Sequence, residues 1–217
     1  MGSNWSWQLD LAEPLSARRV ETVLELAAAA GLHLPEPLHA WGPAGVEADH
    51  RPIGRARLLS GLADGTWAAT VWTADDVDMM ITTTPTTVTL HLDAAFARRV
   101  PDPEADGFRL LHRTVTELWA TLAERLDAVF GRVEDEWSME QVWHTRPNLN
   151  FDPPPPGQWP ELLGWWTYFD AERTELLPDP PARLRLTGRG SVLALLDDPA
   201  AVDALEFERL HRGLVSG

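Results

Sequence analysis

Apolar and polar positions alternate from Asn4 to Leu11 (NWSWQLDL), placing Trp5, Trp7, Leu9 and Leu11 on one side, the period of a half-buried strand. Ser16 then stands as an N-cap for a helix running to Ala30, in which Val20, Val23, Leu24 and Ala27 share a face and Gly31 is the stop. Residues 32–54 are rich in Pro, Gly and His without a sustained period, and read as a long connection with at most a short strand. Strand signals follow closely: Arg57 to Ser60, an Asp64-Gly65 hairpin turn, Trp67 to Thr73, Val77 to Thr83, an interruption at Pro85, and Thr87 to Leu92. Together they predict an antiparallel meander of three or four strands.

The strongest helical period runs from Asp106 to Phe130, with Phe108, Leu111, Val115, Leu118, Trp119, Leu122, Leu126 and Val129 recurring at threes and fours and Gly131 as its end. Residues 132–164 read as irregular, a linker or displayed loop. They hold the acidic run Glu134-Asp135-Glu136, the segment WSMEQVW and the proline run Pro153 to Pro156. Beyond them lie the aromatic run GWWTYF and a Pro-rich turn around Pro178 to Pro181. Two strands, Arg183 to Thr187 and Ser191 to Leu196, then flank Gly188 to Gly190. A closing helix begins at Asp198-Pro199 and carries Val202, Leu205, Leu210 and Leu214. Strands in a central block with helices before and after predict an α+β fold: an antiparallel sheet with a long amphipathic helix and flanking N- and C-terminal helices packed on it. The expected organisation is a single domain over 1–217, with sub-lobes 1–104 and 105–217 as the alternative division. No repeat of solenoid period is present.

Composition supports a folded core. Of 217 residues 44% are apolar and eleven are Trp, enough to offset the entropy of ordering. The absence of cysteine excludes disulfides, thiolate metal sites and cysteine nucleophiles. No segment approaches the roughly 20 continuous apolar residues of a membrane span, and no basic stretch leads into an apolar run near the start, so a cytoplasmic location without membrane contact is expected. The net charge of −15 repels nucleic-acid phosphates and makes a basic protein partner the natural complement. That charge is uneven: residues 131–180 hold ten acids against Arg132, Arg146 and Arg173.

Catalytic templates find little support. Gly188-Arg189-Gly190 lies between two strands instead of between a strand and a helix, so it reads as a hairpin turn and not as a phosphate loop, and neither GxSxG nor HExxH occurs. Asp75, Asp76 and Asp78, or Glu134, Asp135, Glu136 and Glu140, offer hard oxygen ligands but lack calcium-loop spacing; no metal or cofactor is expected. Of seven scattered histidines, His112 beside the apolar helix face reads as structural, and His144 is the candidate acid or base. Five Trp fall in 132–179. Trp165 and Trp166 read as core, whereas Trp137, Trp143 and Trp159 lie among turn formers. Aromatic anchors ringed by one sign of charge suit protein recognition, so Glu134, Asp135, Glu136, Trp137, Glu140, Trp143 and Trp159 are the candidate partner-binding residues.

The stretches AVFGRVEDEWSMEQVW and LLGWWTYFDAERTELLPDPPARLRLTGRGSVLALLDDP resemble the immunity proteins of bacterial polymorphic toxin systems, particularly the immunity protein 52 group and related type VI immunity families. The resemblance spans Phe108 to Leu214. It implies a cytoplasmic antitoxin, without catalysis or cofactor, that binds a cognate toxin, often a nuclease. Two other readings stay open: a hydrolase-type enzyme using His144 and nearby carboxylates, and a non-catalytic component of another bacterial conflict or defence complex.

Overall fold

The computed structural model describes residues 3–42, 52–146, 148–155, 158–175 and 184–215. In chain order its elements are β1 (Trp5–Leu11), α1 (Ala17–Ala29), α2 (Arg55–Ala63), β2 (Ala69–Trp72), β3 (Asp78–Thr84), β4 (Thr87–Leu92) and α3 (Ala105–Arg125). There follow β5 (Ala128–Asp135), α4 (Glu136–Thr145), β6 (Trp166–Asp170), α5 (Ala171–Thr174), β7 (Leu184–Leu186), β8 (Gly190–Ala194) and α6 (Ala204–Val215). All strands join one antiparallel sheet in the order β2-β3-β4-β1-β5-β6-β8-β7. The α+β fold expected from the strand block is the one observed. The opening strand lies inside the sheet, between β4 and β5, so residues on both sides of position 104 share it.

One face of the sheet, here the front, is apolar where β1, β3 and β4 meet: Trp5, Trp7, Leu9 and Leu11 align in register with Leu90, Val88, Ile81 and Met79. Helices α1, α2 and α3 cover it. Trp7 donates through Nε1 to Thr116 (2.9 Å) and Trp119 to the Gln8 carbonyl (2.8 Å), so two large rings are buried with their polar edges satisfied. Ser16 caps α1 through the Arg19 amide, and Gly31 (φ +89°) follows its end, as the sequence indicates.

Two elements differ from expectation. Residues 57–60 are helical, within α2, because Leu58, Leu59 and Leu62 bury one helical face; four residues are too few to separate that spacing from alternation. Asp64-Gly65 therefore ends a helix, with Gly65 at φ +67° donating its N–H to the Leu62 carbonyl. The long helix stops at Arg125, and β5 occupies 128–135. Gly131 lies inside that strand: a Cβ there would stand 2.7 Å from Leu9 Cδ2, 2.9 Å from the Gln8 carbonyl oxygen and 3.0 Å from Trp119 Cζ2. It permits α3 to lie close on the sheet.

The back face is divided. Over β5, β6 and β8 it is covered by residues 149–155 and 158–163, α4 and α6, with Trp159 stacked on Phe169 and Phe207 against Trp165. The described residues of 132–164 are thus the end of β5, helix α4 and a covering strap, and Leu162 and Leu163 are buried. Over β1, β4 and β3 the back presents Ser6, Gln8, Thr82, Thr87, Thr89 and His91, all half-buried. Residues 32–42 reach β2 only through the bridges His33 to Trp72 and Trp41 to Ala68. Asp198 caps a short 3-10 turn (Pro199–Ala201) that precedes α6, in place of one continuous closing helix. The Pro178 to Pro181 turn and Arg183 lie outside the described residues.

Candidate functional site: an acidic aromatic groove

Helix α4 starts where β5 ends because Asp135 is its N-cap, accepting from the Ser138 amide (3.2 Å). The same carboxylate accepts from Ser3 Oγ (3.1 Å) and Trp165 Nε1 (2.8 Å) and lies 3.8 Å from the Arg99 guanidinium. Asp135 is fully enclosed and its role is internal: it anchors the helix from below. The short helix keeps Met139 and Val142 inward and turns Glu136, Trp137, Glu140, Trp143 and His144 outward.

Trp143 is 51% exposed and meets Phe151 edge to face at 5.5 Å; Trp137 is 48% exposed beneath the Arg99 guanidinium at 3.9 Å. Beside this helix runs a groove of about 420 Å³ lined by Asn4, Ser6, His91, Glu134, Glu136, Glu140, Trp143 and Phe151. It meets a second, of about 400 Å³, at Asn4 and His91; the second adds Trp41, Thr70, Asp78, Met80 and Asp93. Among the described residues, five carboxylates and no arginine line the two.

Of the sequence candidates, Glu134, Glu136, Glu140 and Trp143 come together on this groove, and Trp137 flanks it on the same helix. Asp135 lies beneath it. Trp159 is half-buried against Phe169, away from the groove. His144 is exposed, with its Nδ1–H donated to the Glu140 carbonyl (2.7 Å), and does not line the groove. The sequence reading missed Asn4, His91, Asp78, Asp93, Trp41 and Phe151. Alternation in β4 puts His91 on the same side as Thr87 and Thr89, but only strand register brings it opposite Ser6, next to Glu134.

Burial accounts for the electrostatics. Desolvation raises the Glu134 carboxyl above its ordinary range despite Arg132, whose Nε is 3.7 Å from it, while Asp135 and Asp10 raise it further. Burial also raises Asp10, although Arg132 and a hydrogen bond from Gln8 oppose the shift. His91 is lowered by burial, so at neutral pH it adds no positive charge to the groove; its Nε2 lies 2.8 Å from Thr82 Oγ1. Arg132 is 2% exposed, donates to the Phe151 carbonyl (3.3 Å), and so ties the aromatic rim to β5. No three His, Asp or Glu side chains among the described residues gather as a metal ion would require. Among the same residues no helix is long and apolar enough to cross a membrane.

No protein-family model matches the chain, and no curated protein matches it. Among solved structures, a Pseudomonas aeruginosa T6SS protein is similar over 99% of this chain and 72% of its own, with a TM-score of 0.46 and 12% identity.

Proposed function

We propose that this chain is an immunity protein that binds and neutralises a cognate bacterial toxin through the acidic aromatic groove and the outer face of α4. The observation that carries the reading is the groove itself: among the described residues Glu134, Glu136, Glu140, Asp78 and Asp93 line it without an arginine, beside a half-exposed Trp143–Phe151 pair. A like-charged trough with aromatic anchors at its rim attracts a basic surface over distance and buries ring area on contact. The resemblance of Phe108 to Leu214 to immunity proteins supports a toxin as that partner, and a nuclease, whose working surface is basic, fits the charge best.

The test is equilibrium binding to the product of a toxin gene adjacent to this one. Association should be submicromolar and weaken at least ~10-fold between about 50 and 300 mM salt, because exposed charges are screened over about a Debye length. The double variant Glu136→Arg/Glu140→Arg should lose at least ~10-fold in affinity with little change in melting temperature, since both side chains are exposed. No association at micromolar concentration would overturn the assignment. Salt-insensitive binding would overturn the charge mechanism alone.

A further inference from the structure

The front of the sheet carries a different cleft. Beyond β5, helix α3 touches β6 through His112 on Trp166 and Trp119 on Tyr168, and beside these contacts a space of about 460 Å³ opens between the helix and Trp166, Val192, Ala194 and Arg185 of β6, β8 and β7. Ties hold it open at both ends. Arg109 donates from Nε and Nη2 to the two oxygens of Asp198 (2.9 and 2.7 Å); at the other end the Gly188 amide donates to Glu124 (2.6 Å) and Arg189 pairs with Asp127. The cleft falls in the size range of small-molecule sites, which is about 300–1,000 Å³.

Its polar groups are not all engaged. His112 lines it, is 2% exposed, and is ringed by Trp5, Trp7, Phe108 and Trp166 with centroids 4.5 to 5.8 Å away. Its Nδ1 is 3.3 Å from Thr116 Oγ1, the acceptor for Trp7 Nε1, whereas its buried Nε2 has no hydrogen-bond partner. Burial depresses its pKa to about 3, so the ring is neutral. If Thr116 gives its hydroxyl proton to Nδ1, Nε2 carries the ring hydrogen and is a donor. Arg113 and Arg185 are exposed on the same cleft and form no ion pair or side-chain hydrogen bond among the described residues. Of the acids there, Asp198 is engaged by Arg109, Asp197 has partners of its own, and Glu117 lies one turn beyond Arg113.

We propose that this cleft binds a small planar organic anion, its acidic group drawn to Arg113 and Arg185 and its ring against Trp166, beside the buried His112. The site is independent of the toxin-binding reading, being on the opposite face of the sheet. Naphthalene-2-carboxylate is the probe, with uncharged naphthalene-2-carboxamide as its control. NMR titration should show saturable shifts of the His112 ring and the Trp166 indole with the carboxylate. Affinity should drop roughly 10-fold for the carboxamide, and by as much for the carboxylate on Arg113→Gln/Arg185→Gln, as expected for loss of a charge-assisted hydrogen bond. Both arginines are exposed, so that variant keeps the fold, and Trp143→Ala should leave binding unchanged. Lack of saturation by ~10 mM, far weaker than a built site of this size gives, overturns the proposal. So does equal binding of the carboxamide or by the arginine variant, and so do shifts confined to Trp143.

Discussion

The two faces of one sheet carry opposite kinds of opening. On the back, the groove beside α4 is shallow, rimmed by exposed rings, and, among the described charged residues, lined only by acids. On the front, the cleft under α3 is tied at its ends, and its unengaged charges are Arg113, Arg185 and Glu117 beside a buried neutral histidine. Composition alone places negative charge on this protein everywhere. Strand register decides that the carboxylates of β5, β3 and α4 converge behind the sheet, while α3 and β7 bring positive charge in front. Local charge at a site is thus a property of which strands are neighbours, and the net value of −15 hides it.

The largest expected disturbance removes the contrast altogether. Gly131 lies under Trp119 on the strand that both faces share, so Gly131→Val forces apart β1, β5 and α3. It should cost about 3 kcal/mol or more, read as a fall in urea midpoint. A variant as stable as the parent would show that α3 does not depend on this close approach. Asp135→Ala separates the faces. It takes away the α4 cap and the carboxylate that Trp165 and Ser3 bond to, a loss of about 2 kcal/mol. Hydrogen exchange should then quicken in α4 but not in α3; equal change in both helices would mean the back groove is not an independent unit.

The smallest effect concerns pH. His112 behind the front cleft and His211 under the strap on the back are both depressed by burial, to about 3 and about 4, from an ordinary value of 6.5. The folded chain binds fewer protons than the unfolded one below 6.5, so stability is present above that pH and is lost as pH falls toward the folded values. From pH 7 to pH 6 each should remove roughly half a kcal/mol. Thermal melts of His112→Phe and His211→Gln should each show a flatter pH dependence than the parent, and unchanged slopes would refute the buried-histidine account.

What could be read from the sequence follows from how locally each feature is determined. Strand β1, helix α1 and the β2–β4 meander were legible because each carries a clean period of two or 3.6 over seven or more residues, or a turn signal between alternating runs. Strand β5 was not, because Leu126 and Val129 continue the helical period beyond Arg125 and Gly131 looks like a helix stop. Its reason for being Gly is the distant Trp119 ring. Helix α4 was hidden because its N-cap Asp135 sat in an acidic run that read as solvated. Of the groove residues, Glu134, Glu136, Glu140 and Trp143 are candidates by composition, since runs of acids and rings among turn formers stand out in the sequence itself. His91, Asp78 and Asp93 reach the groove only through pairing of strands far apart in the chain, which no local pattern encodes.

The position of β1 has a consequence for synthesis. Its partners are residues 87–92 and 128–135, so Trp5 and Trp7 have no strand to pair with until β4 has been made, and lack their second neighbour until β5 has. At typical translation rates that interval is on the order of ten seconds. During it a ring-bearing segment is without its sheet partners, and such non-local closure is slow to fold. A cell making this protein therefore has Trp5 and Trp7 to shield over that interval, and weakening their closure into the sheet should depress yield well before it alters any surface that binds.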